Sequence, residues 1–140
     1  MNITTTLSNY QGTVAVITEQ PIYGIHTKRF LPKKGYLVEV IPLNEKDAYL
    51  STQGIDKKRP DFILVDSPDI AEEVKKIYQS EIEHTKAPKI IAISSDHYST
   101  WVNPAFENTT VVKPTSNLKQ EILEGIIKAR KGDTYKRRVA

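Results

Sequence analysis

The chain has 140 residues, which is enough for one domain with an ordinary buried core and too few for two. Hydrophobic residues make up 39% and charged residues 26%, which is typical of a soluble globular protein, and no apolar run is long enough to cross a membrane. The lack of cysteine excludes disulfide scaffolds, thiolate nucleophiles and zinc ribbons. With the polar start of the chain, which lacks the order of a secretory signal, it favours a cytoplasmic protein.

Most of the positive charge lies near the carboxyl end of the sequence. The formal net charge is +3, whereas residues 128 to 140 hold six lysines and arginines against Asp133, a net charge of +5. The rest of the chain therefore carries −2, which indicates a solvated basic tail and not a basic nucleic-acid-binding face. We expect nucleic acid to be bound at most weakly, through this tail.

Five short runs rich in β-branched residues predict strands. Each run is too short for a helix and is followed by turn residues, as expected of strands buried on both faces of a parallel sheet. In chain order the predicted strands are 14–17, 36–41, 62–65, 90–93 and 109–112.

Apolar residues at helical spacing follow most of these runs. The clearest patterns begin at Ile70 and at Leu118, and weaker ones predict helices over 22–31 and from Asn44 to about Ile55. The segment 97–108 contains Pro104 and predicts at most a short or irregular helix. The alternation predicts one α/β domain with a doubly wound, mainly parallel sheet and helices on both faces, at residues 13–131. A flexible arm at 1–12 and a basic tail at 132–140 flank it.

Four polar side chains stand where predicted strands end: Glu19, Asp66, Ser94 and Lys113. In an open parallel sheet, ligands and chemistry collect beyond the carboxyl ends of the strands. Two carboxylates can share Mg²⁺, a hydroxyl can donate to a phosphoryl oxygen, and an ammonium can neutralise developing charge. This set of side chains therefore predicts a phosphoryl-transfer site.

Each of these residues also has a plainer interpretation. Asp66 could cap the helix that begins near Ile70, Glu19 could be a solvated loop acid, and Ser94 could be a turn former. A flavin-binding flavodoxin shares the layer order, but residues 18–27 lack the glycine- and hydroxyl-rich loop that cradles a phosphate. The three histidines lack metal-ligand spacing, and we assign them no chemistry.

The order of the segments resembles a response-regulator receiver domain over about Thr13 to Lys131. The resemblance lies in Val-Ile-Thr-Glu-Gln-Pro, Gly-Tyr-Leu-Val-Glu-Val, Arg-Pro-Asp-Phe-Ile-Leu-Val-Asp, Ile-Ile-Ala-Ile-Ser and Val-Val-Lys-Pro. It implies a five-stranded sheet in the order 2-1-3-4-5, the order of flavodoxin and the chemotaxis receiver. It also implies a function in two-component or phosphorelay signalling, with a sensor histidine kinase or phosphotransfer protein and a downstream protein as partners.

The resemblance also implies roles for the strand-end residues. Asp66 corresponds to the phosphoacceptor, which would take and lose its phosphoryl group with Mg²⁺ held by Glu19 and Asp66. Ser94 corresponds to the switch hydroxyl, and Lys113, followed by Pro114, to the lysine that contacts the phosphate. Thr18 departs from the family, which usually has an acid there, and the loop after Asp66 is short. The alternative is therefore a phosphorylation-independent pseudo-receiver that acts as a protein-interaction module.

Overall fold

The computed structural model of the chain describes residues 10–49, 60–81, 88–94, 109–112 and 117–131. Its five strands form one parallel sheet in the order β2-β1-β3-β4-β5. The strands are β1 (Gly12–Ile17), β2 (Tyr36–Val40), β3 (Phe62–Val65), β4 (Lys89–Ile93) and β5 (Thr109–Val112). The predicted fold class and the strand order implied by the resemblance are thereby confirmed.

Four α-helices lie in these ranges: α1 (Pro21–Phe30), α2 (Lys46–Tyr49), α3 (Pro68–Glu81) and α4 (Leu118–Arg130). Two 3-10 turns, Leu31–Lys34 and Leu43–Glu45, connect α1 to β2 and β2 to α2. Pro21 can begin α1 because the first residue of a helix needs no N–H donor. None of the helices in the described ranges is both long and apolar enough to span a membrane.

The central strands β1, β3 and β4 are buried on both faces, which explains their unbroken apolar runs, whereas the edge strand β2 exposes Leu37 and Val40. On one face, α1 and α4 place Tyr23, Phe30, Ile122 and Ile126 against the inward residues of the strands. On the other face, α3 contributes Ile70, Ala71 and Val74 to a second cluster. All four residues of β3 are buried, as the sequence predicts for a central strand.

The boundaries differ from the predicted ones by one or two residues in most elements. Helix α1 starts at Pro21 and ends at Phe30, since Leu31 already belongs to the following 3-10 turn. Helix α3 starts two residues before Ile70, at Pro68. The helix predicted from Asn44 is a 3-10 turn followed by the four-residue α2, and residues 50–59 lie outside the described ranges. The segment 95–108 and the ends 1–9 and 132–140 also lie outside them.

Arg130 fastens the end of α4 to the amino ends of the strands. Its Nη2 donates to the carbonyl oxygen of Gln11 at 2.9 Å and to the hydroxyl of Tyr36 at 2.7 Å. Its guanidinium also lies over the rings of Tyr36 and Phe62, 5.6 and 5.5 Å from their centroids. The end of α4 is therefore held at the edge opposite the predicted site.

Candidate functional site

Asp66 follows β3 directly and lies partly exposed at the carboxyl edge of the sheet. Its Oδ1 accepts the backbone N–H of Glu19 at 2.8 Å, and its Oδ2 accepts that of Gln20 at 3.1 Å. The parallel register pairs Ile17 with Val65, so Thr18, the residue after β1, lies beside Asp66. Asp66 thus binds the loop between β1 and α1 with both carboxylate oxygens.

The loop after β1 is shaped so that its N–H groups face this carboxylate. The Thr18 hydroxyl donates to the carbonyl oxygen of Gln20 at 2.9 Å, which closes a local turn. Gln20 precedes α1 and makes no side-chain capping hydrogen bond, and Pro21 has no N–H. A carboxylate at this position also complements the positive end of the helix dipole. Asp66 therefore holds the two residues that precede α1 through their backbone N–H groups.

Glu19 contacts Asp66 through its main chain. It contributes its backbone N–H to the contact, and the residue is exposed. No group of three or more His, Cys, Asp or Glu side chains that could hold a metal ion is present in the described part of the chain. Mg²⁺ needs several oxygen ligands in a near-octahedral set. Each Asp66 oxygen accepts one N–H group and keeps a second lone pair, so the binding of Mg²⁺ by Glu19 and Asp66 stays a prediction.

Ser94 lies at the same edge as Asp66, as predicted. The register pairs Val65 of β3 with Ala92 of β4, so Ser94 lies beside Ser67. Ser67 follows Asp66 directly in the chain. Ser94 is 8% exposed, and its N–H donates to the carbonyl oxygen of Val112 at 3.0 Å. Lys113 and Pro114 lie outside the described residues, so their predicted place in the site stays a prediction.

Ser67, and not Asp66, caps helix α3. The Ser67 hydroxyl accepts the backbone N–H of Asp69 at 3.2 Å, as a residue before a helix commonly does. The interpretation of Asp66 as the cap of this helix is therefore wrong, because its carboxylate turns to the loop after β1.

Tyr23 is a neighbour of Asp66 that the sequence did not reveal. Burial raises the pKa of the Tyr23 hydroxyl above its ordinary value of 10.0, and the negative charge of Asp66 raises this pKa further. The phenol therefore stays neutral at physiological pH. Tyr23 lies in the core face of α1, where an aromatic residue is expected for packing alone, so its spacing carries no sign of the acid.

Comparison with known proteins supports the fold and goes no further. No family model matches the chain, and no curated protein matches its sequence. A solved structure that contains the yeast Spc42 trimeric coiled coil, amino acids 181–211, fused to another solved structure is similar, with a TM-score of 0.63. The two are 14% identical over 86% of this chain and 80% of that chain. At this identity the similarity shows the fold alone.

Proposed function

We propose that the chain is a receiver-like signalling domain that acts through protein contacts and does not depend on phosphorylation. The observation that supports this is the pair of hydrogen bonds from the Glu19 and Gln20 backbone to Asp66. In this proposal Asp66 fixes the start of α1, and the surface of α1 meets the partner. The receiver-like fold is kept, while its strand-end acid has a structural task.

Phosphorylation of Asp66 would disturb the contacts that now hold the loop. To form an acyl phosphate, one carboxylate oxygen attacks the phosphorus of the phosphodonor, whose own bond to phosphorus breaks and which leaves (acetate in the case of acetyl phosphate). The attacking oxygen becomes an uncharged bridging oxygen, so its charge-assisted hydrogen bond is weakened or lost. Hydrogen bonds to charged acceptors stabilise by roughly 1.5–3 kcal/mol each, and solvent around a partly exposed carboxylate lowers this figure. The Thr18 hydroxyl is itself a donor to Gln20 and replaces the acid expected from the resemblance. The described loop is therefore organised around an unmodified carboxylate.

The outward side of α1 offers apolar surface for a partner. Ile22 and Ile25 are 45% and 49% exposed, and their spacing of three residues places them on one side of the helix. Protein partners often bind such a side through isoleucine or leucine anchors. Because Asp66 holds the two residues before Pro21, it fixes where this side of α1 begins.

Phosphoryl acceptance on Asp66 is the second candidate function. It is favoured by the position of Asp66, partly exposed at the carboxyl edge, with the Ser94 residue on the adjacent strand. A sensor histidine kinase or phosphotransfer protein would then be the phosphodonor, with Glu19 and Asp66 as the residues to hold Mg²⁺ and Lys113 as the phosphate contact. This function requires one carboxylate oxygen of Asp66 to exchange its N–H contact for a bond to phosphorus.

Intact-mass spectrometry after incubation with acetyl phosphate and Mg²⁺ separates the two functions. The full chain is compared with Asp66→Asn and with Asp69→Asn, which alters a nearby exposed acid that does not contact the loop. Circular dichroism confirms that all three are folded. We expect no phosphoryl-sized mass increase in any of them. An Mg²⁺-dependent increase in the wild type and Asp69→Asn, absent from Asp66→Asn, would overturn the proposal and establish the second candidate.

A further inference from the structure

We propose that the amino edge of the sheet carries a surface that binds the phosphate backbone of nucleic acid. This basic surface lies opposite the Asp66 edge and consists of cations from the end of α1, the 3-10 turn that follows it and the end of α4. They are Lys28, Arg29, Lys33, Lys34, Lys128 and Lys131. The inference goes beyond the proposed function and does not depend on it.

Contacts within the fold bring the two groups of cations to one edge. Arg130, beside Lys131, donates to the hydroxyl of Tyr36 and the carbonyl oxygen of Gln11. Gln11 in turn donates its N–H to the carbonyl oxygen of Gly35 at 2.7 Å, one residue after Lys34. Helices α1 and α4 also contact each other on the same face of the sheet. The sequence separates these groups by about a hundred positions, and the fold joins them.

These six side chains are exposed, and the acid nearest to them on their own helices is Glu124, four residues before Lys128. In the part of the chain that the structure describes, both salt bridges belong to Lys46, and none involves the basic surface. The acids Glu19, Asp66 and Asp69 lie at the carboxyl edge instead. Asp61 lies at the amino edge, and its Oδ2 accepts the N–H of Thr13 at 2.8 Å. The molecule is thus electrically polar along its strands.

The helix dipoles offset only part of the positive charge of the basic surface. A helix carboxyl end has a partial charge of about −0.5, so the ends of α1 and α4 together offset roughly one of the six cations. The remaining charge attracts an anionic partner. The fold brings Lys128 and Lys131, from the basic stretch 128–140, to the same edge as the cations of residues 28–34.

Nucleic acid fits this surface better than a membrane or a protein does. The segments 28–34 and 128–131 bury Phe30, Leu31 and Ala129, and the exposed apolar side chains beside them in the chain are Leu37 and Ile127. Membrane-bound surfaces usually add apolar residues to their cations, and protein interfaces depend on buried apolar anchors. Six cations with few exposed apolar side chains beside them gain most from a densely charged polymer, which releases its condensed counterions on binding.

Fluorescence anisotropy with a labelled DNA duplex, measured at several salt concentrations, tests the inference. We expect the full chain to bind, and Lys33→Gln/Lys34→Gln/Lys131→Gln to bind at least about tenfold more weakly at low salt. Each lost phosphate contact lowers the slope of log K against log salt by about 0.9, so the slope should fall by about 2 to 3.

Three controls decide whether the surface is responsible. Lys119→Gln and Lys131→Gln remove the same charge from opposite ends of α4, and we expect only Lys131→Gln to weaken binding. Equal effects of the two would overturn the inference, since net charge would then explain the affinity. So would a loss confined to the tail variant Lys136→Gln/Arg137→Gln/Arg138→Gln. Binding to vesicles rich in phosphatidylserine without binding to the duplex would overturn it as well, and so would no binding of the wild type.

Discussion

The carboxylate of Asp66 accepts the backbone N–H of Glu19 at 2.8 Å, across 47 positions of the sequence. This hydrogen bond joins the end of β3 to the loop that leads from β1 into α1. Gln20 makes the second bond of the pair, at 3.1 Å. The residue that the sequence marks as a phosphoryl acceptor is therefore also a connection between two central strands and a helix.

Asp66→Asn should leave the domain folded and lower its stability by about 1 to 2 kcal/mol. An amide has one acceptor oxygen, so one backbone N–H would lose its partner and face an NH₂ group. Amide hydrogen exchange and urea unfolding measure the effect. We expect the Glu19 and Gln20 amides to lose protection, while the amides of β4 exchange as before.

Asp69→Asn is the matched control for this substitution. Asp69 lies in the first turn of α3 and is exposed. Its replacement removes a favourable interaction with the helix dipole and should lower the stability by about 0.3 to 1 kcal/mol. Exchange at Glu19 and Gln20 should not change. If the Glu19 and Gln20 amides were equally protected in both variants, the hydrogen bonds to Asp66 would not contribute to stability.

The fold could be predicted from the sequence because burial on both faces leaves a simple pattern. Strand β5 was predicted with its observed limits, Thr109–Val112, and β3 likewise. Helix α2 begins at Lys46, two residues later than Asn44 suggests, because Leu43–Glu45 form a 3-10 turn, and its predicted end near Ile55 lies outside the described residues. Local propensity does not distinguish these two helix types well over a single turn.

The site was predictable only in the position of its residues. The strand-end rule places Asp66 and Ser94 at one edge, and the register agrees with it. The partners of Asp66 are backbone N–H groups, which every residue but proline possesses, so no side-chain pattern could reveal them. The sequence therefore indicates where a carboxylate lies, but not which hydrogen bonds it accepts.

Glu73→Gln should remove a contribution to stability that depends on pH. Lys46 Nζ lies 2.6 Å from Glu73 Oε2, and this hydrogen bond is the main cause that raises the pKa of Lys46 above its ordinary value of 10.5. A raised lysine pKa stabilises the folded state below pH 10.5, and the contribution disappears as the pH rises through the folded-state pKa. Because Glu73 is 44% exposed, we expect only about 0.5 kcal/mol at neutral pH.

Urea unfolding of wild type and Glu73→Gln at neutral and strongly alkaline pH measures this difference. The difference between their free energies of unfolding should disappear above the pKa of Lys46. Groups that titrate alike in both proteins cancel in this difference. Glu72→Gln alters the neighbouring exposed acid on α3 and should show no such closure. A gap that stays constant across this range would show that Lys46 does not contribute through its charge.

Gly125→Ala should destabilise the protein although alanine favours helices. A Cβ on Gly125 would lie 2.6 Å from Val112 Cγ1 and 3.2 Å from Ile91 Cγ2, both in the core. Overpacking of this kind costs about 1–3 kcal/mol, which exceeds the gain of up to about 1 kcal/mol from helix propensity. Thermal or urea unfolding should show the net loss.

A second substitution shows whether the close contact is the cause. In Gly125→Ala/Val112→Ala the smaller residue makes room, so the double variant should be more stable than the sum of the single effects predicts. Gly24→Ala is a milder comparison, since its Cβ would meet Val40 Cγ1 at 2.8 Å, but Val40 is 38% exposed and can turn aside. Additive single effects in the first pair would contradict the packing argument.

Thr109→Val should stabilise the protein by about 1 kcal/mol. Thr109 is fully buried, and among the described side chains its Oγ1 is the buried polar atom without a hydrogen-bond partner. A buried hydroxyl left unpaired costs roughly 1–3 kcal/mol, whereas valine fills nearly the same volume with a methyl group. Thr27→Val is the control, because the Thr27 hydroxyl donates to the carbonyl oxygen of Tyr23 at 2.5 Å and is equally buried. The free energy of unfolding measured in urea should therefore rise for Thr109→Val and fall for Thr27→Val. A loss of stability in Thr109→Val would mean that the Thr109 hydroxyl has a hydrogen-bond partner in solution.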